Sequence, residues 1–333
     1  MTNHGLIDER DPLIRREPAV AIATLVSATG SSSKKLGAKM IVGRSGRLLG
    51  GVTIGGCVDA QVIEAADALV DGANGEPVPD ARRVLSISLD DDEAWEIGLT
   101  CGGTLEVVLE RVDPSAEDDP TIAAHRRARD LLAAGEMAMI VTPLEPTGAA
   151  YTLSESEFAN TTFDGRVFVD RLSPPATLAI VGAGQIAMTL TRFARELEMR
   201  TVVIDGRERY ATAERFPDAD DVRVGMPSEI VAELLATMAG GKNVAVILVA
   251  HDYKYELPIL RHLLRASVGY IGMLGSKKRG AAVRQLLREE GFTDDELARI
   301  HSPIGLDLGG RSSAEVALSI LAEVVAVRNG RRA

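Results

Sequence analysis

TLAIVGAGQIAMTLTRFARELEMRTVVIDGR, residues 177–207, decides the fold of this chain. A short apolar run ends in a glycine turn. Apolar residues then recur at helical spacing, and a second branched run closes on Asp205. Within it, Gly182-Ala183-Gly184-Gln185-Ile186-Ala187 fits the G-x-G-x-x-G/A pattern between a strand and a helix. Gly182 permits the tight turn, Gly184 lets backbone approach a pyrophosphate, and the small Ala187 lets the helix pack on the strand. The amides of the helix that opens at Gln185 then face the phosphates. Asp205 stands roughly 20 residues on, where an acid can bond a ribose hydroxyl. Arg207 follows it and could instead receive a 2′-phosphate. Fold does not prove use, so the site stays open between a dinucleotide, another phosphate ligand and none.

Outward from this stretch the alternation continues. NVAVILVA (243–250) reads as a strand, LPILRHLLRAS (257–267) as a helix, GYIGMLG (269–275) as a strand, and SKKRGAAVRQLLREEG (276–291) as a helix. A last helix, 313–330, closes on Asn-Gly. Alternating short apolar strands and helices predict a doubly wound parallel sheet from residue 176 onward. In such sheets ligands sit beyond the carboxyl ends of the strands. Three loops fall there. His251-Asp252 offers an imidazole and a carboxylate for acid–base or orienting work, or a helix cap and a solvated ring. Gly275-Ser276-Lys277-Lys278-Arg279 offers a helix cap beside cations, either an anion site or a solvated helix start. Asp307, in Pro303-Ile304-Gly305-Leu306-Asp307, touches a ligand or fixes its turn.

Towards the N-terminus the pattern turns β-rich. Residues 19–28, 39–43, 47–53, 82–89 and 102–112 read as strands, and 58–72 as an amphipathic helix. Residues 90–100 read as an acidic loop with a short helix. The acidic, Pro-bearing run 113–120 is a candidate boundary, followed by a helix (121–135) and a strand (137–144). Residues 145–173 read as polar and irregular, ending in the Pro174-Pro175 joint. The expected division is 1–112, an N-terminal α/β domain rich in short strands; 113–175, a connecting region; and 176–333, the Rossmann-like domain.

Two cysteines carry the remaining chemistry. Gly55-Gly56-Cys57 lies between a strand and a helix, and Cys101-Gly102-Gly103 between a loop and a strand. Flanking glycines expose backbone amides, and a thiol at a helix start has a lowered pKa. Cys57 and Cys101 are therefore candidate soft ligands for a metal or sulfur; the alternative is two small buried hydrophobes. The loop Gly30-Ser31-Ser32-Ser33-Lys34-Lys35 lacks P-loop spacing, but its hydroxyls and lysines, with Lys39, could contact phosphate.

Composition narrows the classes. A net charge of -11 argues against a general nucleic-acid binder, which needs a basic face. Two cysteines cannot build a disulfide framework or a Cys-only zinc site. The sequence has no apolar run of signal-peptide or membrane-spanning length, so a cytoplasmic protein with free thiols is expected.

Several stretches together resemble the XdhC/CoxI family, accessory proteins in the maturation of xanthine dehydrogenase and carbon monoxide dehydrogenase. They are residues 24–42, 50–66, 101–112, 178–187, 202–220, 270–279 and, above all, HSPIGLDLGGRSSAEVALSILAEVVAVRNG at 301–330. The resemblance implies two domains, the second Rossmann-like. It implies binding of a molybdopterin-type molybdenum cofactor, help with its sulfuration through a cysteine desulfurase, and delivery to the large subunit of a molybdenum hydroxylase. It also implies a homodimer, and a maturation factor rather than an enzyme that turns over substrate. The competing readings are an NAD(P)-dependent oxidoreductase with His251 as proton donor, and an NAD(P)-binding redox sensor. Three positions depart from the family pattern: Gln185-Ile186 stand where His-Val is usual, Ser32-Ser33-Lys34 where Thr-Pro-Arg is usual, and Glu256 where an Asp is usual.

Overall fold

The computed structural model describes residues 6–29, 36–44, 46–52, 57–71, 82–89, 103–116, 118–145, 148–154, 160–238, 241, 243–250 and 252–331, with backbone alone for Cys57, Asp71 and Leu89. It divides into two units, residues 1–174 and 175–333.

In the first unit, β1 (Val20–Ala28) is the middle strand of five. Around it stand β2 (Lys39–Gly43), β3 (Gly46–Gly50), β4 (Arg82–Leu89) and β5 (Gly103–Val112), in the order β3-β2-β1-β5-β4 with every pair antiparallel. The continuous apolar run of β1 reflects cover on both faces. Ala21, Ala23 and Leu25 pack with Val58, Val62, Ala66 and Leu69 of the helix α1 (Cys57–Asp71). Val20 and Ile22 pack on the other side with Ile7, Ile14 and Ile122. Ile122 belongs to α2 (Pro120–Ala133), whose first turn is capped by Asp119.

The segment 145–173 departs from its irregular reading. It supplies β7 (Tyr151–Leu153), β8 (Thr162–Phe163) and β9 (Val167–Leu172). With β6 (Ala138–Pro143) these form a second antiparallel sheet, in the order β7-β6-β9-β8. One buried ion pair and one buried, ion-paired arginine tie this sheet to the first. Asp170 on β9 pairs with Lys39 on β2. Arg82 on β4 pairs with Glu110 on β5, and its Nη1 donates to the Gly148 carbonyl at 2.8 Å. The acidic run 113–120 lies within this unit and supplies a helix cap.

The second unit is a six-stranded parallel sheet of β10 (Thr177–Val181), β11 (Arg200–Asp205), β12 (Asp221–Val224), β13 (Val244–Leu248), β14 (Tyr270–Met273) and β15 (Ile300–His301). Their order is β12-β11-β10-β13-β14-β15. Numbered from β10 this is 3-2-1-4-5-6, the doubly wound dinucleotide-fold order. Side chains alternate between faces as period 2 requires. Leu178, Ile180 and Ile247 face α3 (Gln185–Glu196) and α8 (Ser313–Arg328). Ala179, Val181, Val246 and Leu248 face α4 (Pro227–Thr237), α5 (Tyr253–Arg265) and α6 (Lys277–Glu289). The short α7 (Asp294–Ala298) precedes the edge strand. The order reverses between β10 and β13, so a crevice opens at their carboxyl ends.

Candidate functional site

The turn after β10 is built as its glycines require. Gly182 has φ +112°, and a Cβ there would stand 2.8 Å from the Ala250 nitrogen and 2.9 Å from its Cα. A side chain would thus push β10 off the end of β13. At Gly184, the N-cap of α3, a Cβ would meet nothing within 4 Å, so the space above it is open to a ligand. Ala187 is fully buried in the helix–strand seam. Side chains cap α2, α5, α6, α7 and α8, whereas none caps α3 or α4. The first amides of α3, near the exposed Gln185, lack intrahelical acceptors and point their positive dipole end into the crevice.

Beside this turn lies a cleft of about 150 Å³ lined by Val181, Gly182, Ile204, Asp205, Gly206, Arg207, Pro227, Ala250, Asp252 and Tyr255. Asp205, at the end of β11, is 5% exposed and binds both neighbouring loops. Its Oδ2 accepts from the Ala183 amide at 2.8 Å, reaching into the glycine turn. Its other partners all belong to Arg207: the amide at 3.0 Å, Nε at 2.9 Å and Nη2 at 2.8 Å. Burial works to raise this carboxyl's pKa. The Arg207 side chain, and then the amides of Ala183 and Arg207, more than offset it and hold the pKa below the ordinary carboxylate value. The same pairing raises the Arg207 pKa. The guanidinium also lies 3.9 Å over the Tyr210 ring.

The other candidate loops are placed as follows. Asp252 is exposed, and it caps α5 by accepting from the Lys254 amide at 2.9 Å; it also lines the cleft. Ser276 caps α6, accepting from the Arg279 amide at 3.2 Å, and Lys277 and Lys278 are exposed beside Gly275. Arg279 does not join them. It turns inward to pair with the fully buried Glu256 and lies 4.4 Å over the Tyr253 ring. The basic run of three is therefore an exposed pair plus a structural arginine.

Asp307 is exposed, on a loop anchored by a residue that sequence reasoning passed over. Glu323, buried on α8, accepts from the Tyr270 hydroxyl and from the Gly305 amide at 2.7 Å, and its Oε1 lies 3.0 Å from His301 Nδ1. The Tyr270 and His301 rings stack at 4.6 Å. A glutamate at an apolar helix position, after a His and a Gly-rich turn, was the available signal.

Gly55, Gly56, the Cys57 side chain, Cys101, Gly102 and His251 lie outside the described residues. Around them the backbone gives partial placement. Cys57 is the first residue of α1, and Gly103, with φ +144°, the first of β5. Thr104 donates to Thr29 Oγ1 at 2.9 Å, and Thr29 donates back to the Thr104 carbonyl. The chain ends leading into the 30–35 loop and into Cys101-Gly102 are thereby neighbours. Among the described residues no cluster of three or more His, Cys, Asp or Glu could hold a metal, and no helix is long and apolar enough to cross a membrane.

Fold and cleft define a two-unit α/β protein whose second unit carries a Rossmann-type glycine turn. Residues 178–324 match the model of the XdhC Rossmann domain and residues 13–78 that of the XdhC and CoxI family. The chain belongs to the XdhC and CoxI family. It is 26% identical to a probable xanthine dehydrogenase subunit of Bacillus subtilis, over 96% of each chain. It is 27% identical to the molybdenum cofactor insertion chaperone PaoD of Escherichia coli, over 92% of this chain and 83% of that one. A crystal structure of a xanthine dehydrogenase from Bacillus halodurans superposes with a TM-score of 0.76 at 27% identity, covering 96% of this chain and 94% of that one.

Proposed function

We propose that this chain is an accessory protein that binds a molybdenum cofactor and inserts it into a xanthine dehydrogenase-type molybdenum hydroxylase. It acts in the cytoplasm as a homodimer, takes part in sulfuration of the cofactor with a cysteine desulfurase, and delivers it to the large subunit. The observation that carries this reading is the similarity, over 92% of this chain and 83% of the other, to a protein named as a molybdenum cofactor insertion chaperone. The described residues fit the phosphate end of such a group. The space above Gly184 is open, the first amides of α3 carry no side-chain cap, and Arg207 stands at the cleft. Cys57 and Cys101 are assigned the soft-ligand end. The cofactor supplies the molybdenum centre; the chain binds, orients and shields it.

A second reading, an NAD(P)-binding oxidoreductase or sensor, draws on the 3-2-1-4-5-6 strand order. One experiment separates the two. Isolated molybdenum cofactor is titrated without oxygen into the wild type, Cys57→Ala and Cys101→Ala, and NAD(H) and NADP(H) are titrated in parallel. Binding weakened by either substitution supports the chaperone. No cofactor binding, with clear nucleotide binding and turnover, overturns it.

A further inference from the structure

Asp205 has no acceptor position left for a ligand. A carboxylate offers about four lone-pair sites, and four hydrogen bonds reach this one, two to each oxygen. A ribose diol needs such an acceptor to donate to. The acid that the sequence offers for that task is instead spent on the Ala183 amide and on Arg207.

Arg207 is in the opposite condition. A guanidinium carries five N–H donors in a rigid plane, and Asp205 engages Nε and Nη2. The Nη1–Nη2 edge keeps two parallel donors, and among the described residues none is its hydrogen-bond acceptor. The side chain is 52% exposed at the cleft. It is also held still, with the carboxylate along one edge and the Tyr210 ring under one face. Arg215 lies 5.3 Å from the same ring and adds a second positive charge. Asp205 offsets the Arg207 charge but leaves this guanidinium edge its donor geometry. Planar, bidentate and pre-oriented, it matches an oxyanion with two free oxygens.

We propose that the cleft selects a phosphomonoester. The free edge of Arg207 takes a dianionic phosphate, and Asp205 is the positioning residue that holds the guanidinium. The inference rests on the reading of this cleft as the entry of a phosphorylated cofactor. Two sources share the chemistry: the 2′-phosphate of a dinucleotide, and the terminal phosphate of a molybdopterin.

The test is calorimetric titration of the full chain with NADP+ and NAD+. It is paired with fluorescence titration of the oxidised, phosphorylated pterin derivative of molybdenum cofactor, before and after alkaline phosphatase. Charge-assisted bonds to phosphate predict a preference of about 10- to 150-fold for the phosphomonoester in at least one pair. Arg207→Ala should bring that pair to parity, and Arg207→Lys should keep part of the preference. Near-UV circular dichroism checks that each variant is folded. Preference within the nucleotide pair assigns the 2′-phosphate as the source; preference within the pterin pair assigns the terminal phosphate. Parity in both pairs, or a preference that survives Arg207→Ala, overturns the proposal. Pterin binding without phosphate dependence overturns it while leaving the chaperone reading intact. NADP+ preference without any pterin binding does the reverse. If neither class of ligand binds, both fall.

Discussion

Replacing Glu323 tests whether the α8 carboxylate is the anchor of the 301–307 loop. It collects three partners: the Tyr270 hydroxyl, the Gly305 amide and His301. Tyr270 is 3% exposed, and Glu323 itself 7%. Glu323→Leu orphans the hydroxyl and the amide, each at about 1–3 kcal/mol; His301, partly exposed, can rehydrate. The expected loss is about 2–6 kcal/mol, a large part of a domain's usual ~5–15 kcal/mol. Glu323→Gln keeps the shape. Its amide oxygen accepts from Tyr270 and Gly305 while its NH2 donates to His301 Nδ1, so the expected loss is under about 1 kcal/mol at neutral pH. The two glutamate states also differ in acid. Burial raises the Glu323 pKa, but hydrogen bonds from His301, then Tyr270 and the Gly305 amide, outweigh it and leave a net lowering. A lowered folded-state pKa means that the unfolded chain binds more protons just below the ordinary value. The contribution is thus complete above that value and drains as pH falls through the folded one. Glu323→Gln should flatten that slope. Urea unfolding read by near-UV tyrosine dichroism reports mainly the second unit, which holds Tyr210, Tyr253, Tyr255 and Tyr270 of the five tyrosines. If the leucine variant lies within about 0.5 kcal/mol of wild type, or the glutamine variant is as damaging as leucine, the anchor reasoning is wrong.

Two further expectations follow from the same kind of accounting. Gly182→Ala combines a left-handed φ with backbone closer than 3 Å, and should cost about 2–5 kcal/mol in unfolding of the second unit; a neutral effect would refute the close approach of β10 to Ala250. Lys39→Met should cost about 3–5 kcal/mol by stranding Asp170, and Lys39→Met with Asp170→Leu should recover most of it. That double-mutant cycle fails if the two losses simply add.

The second unit was legible because its signals are local. A glycine turn, a small residue and an acid at set spacing lie within one βαβ half, and the structure puts them at the switch point of the sheet. What escaped is non-local or too short. Strands of two or three residues, as in β7 and β8, give no period to read. Asp170 made β9 look polar, and its neutralising Lys39 is 131 residues away. Arg279 read as part of an anion site because the sequence shows neighbours and not the burial of Glu256, 23 residues earlier. The pair Asp205 and Arg207 was visible as two candidates, but which would occupy the other depends on side-chain geometry. The thiol loops rest on sequence alone.

The position of Glu323 on the last helix bears on synthesis. The sheet face built from Leu178, Ile180 and Ile247 waits for Ala317, Ile320, Leu321 and Val324 to cover it. A ribosome delivers these after every strand of the unit, so the part of that face beyond α3 and the Tyr270 hydroxyl remain exposed until α8 has left the exit tunnel. Chains interrupted between β15 and α8 would carry six strands with that face covered by α3 alone, a form suited to capture by general chaperones or by proteases.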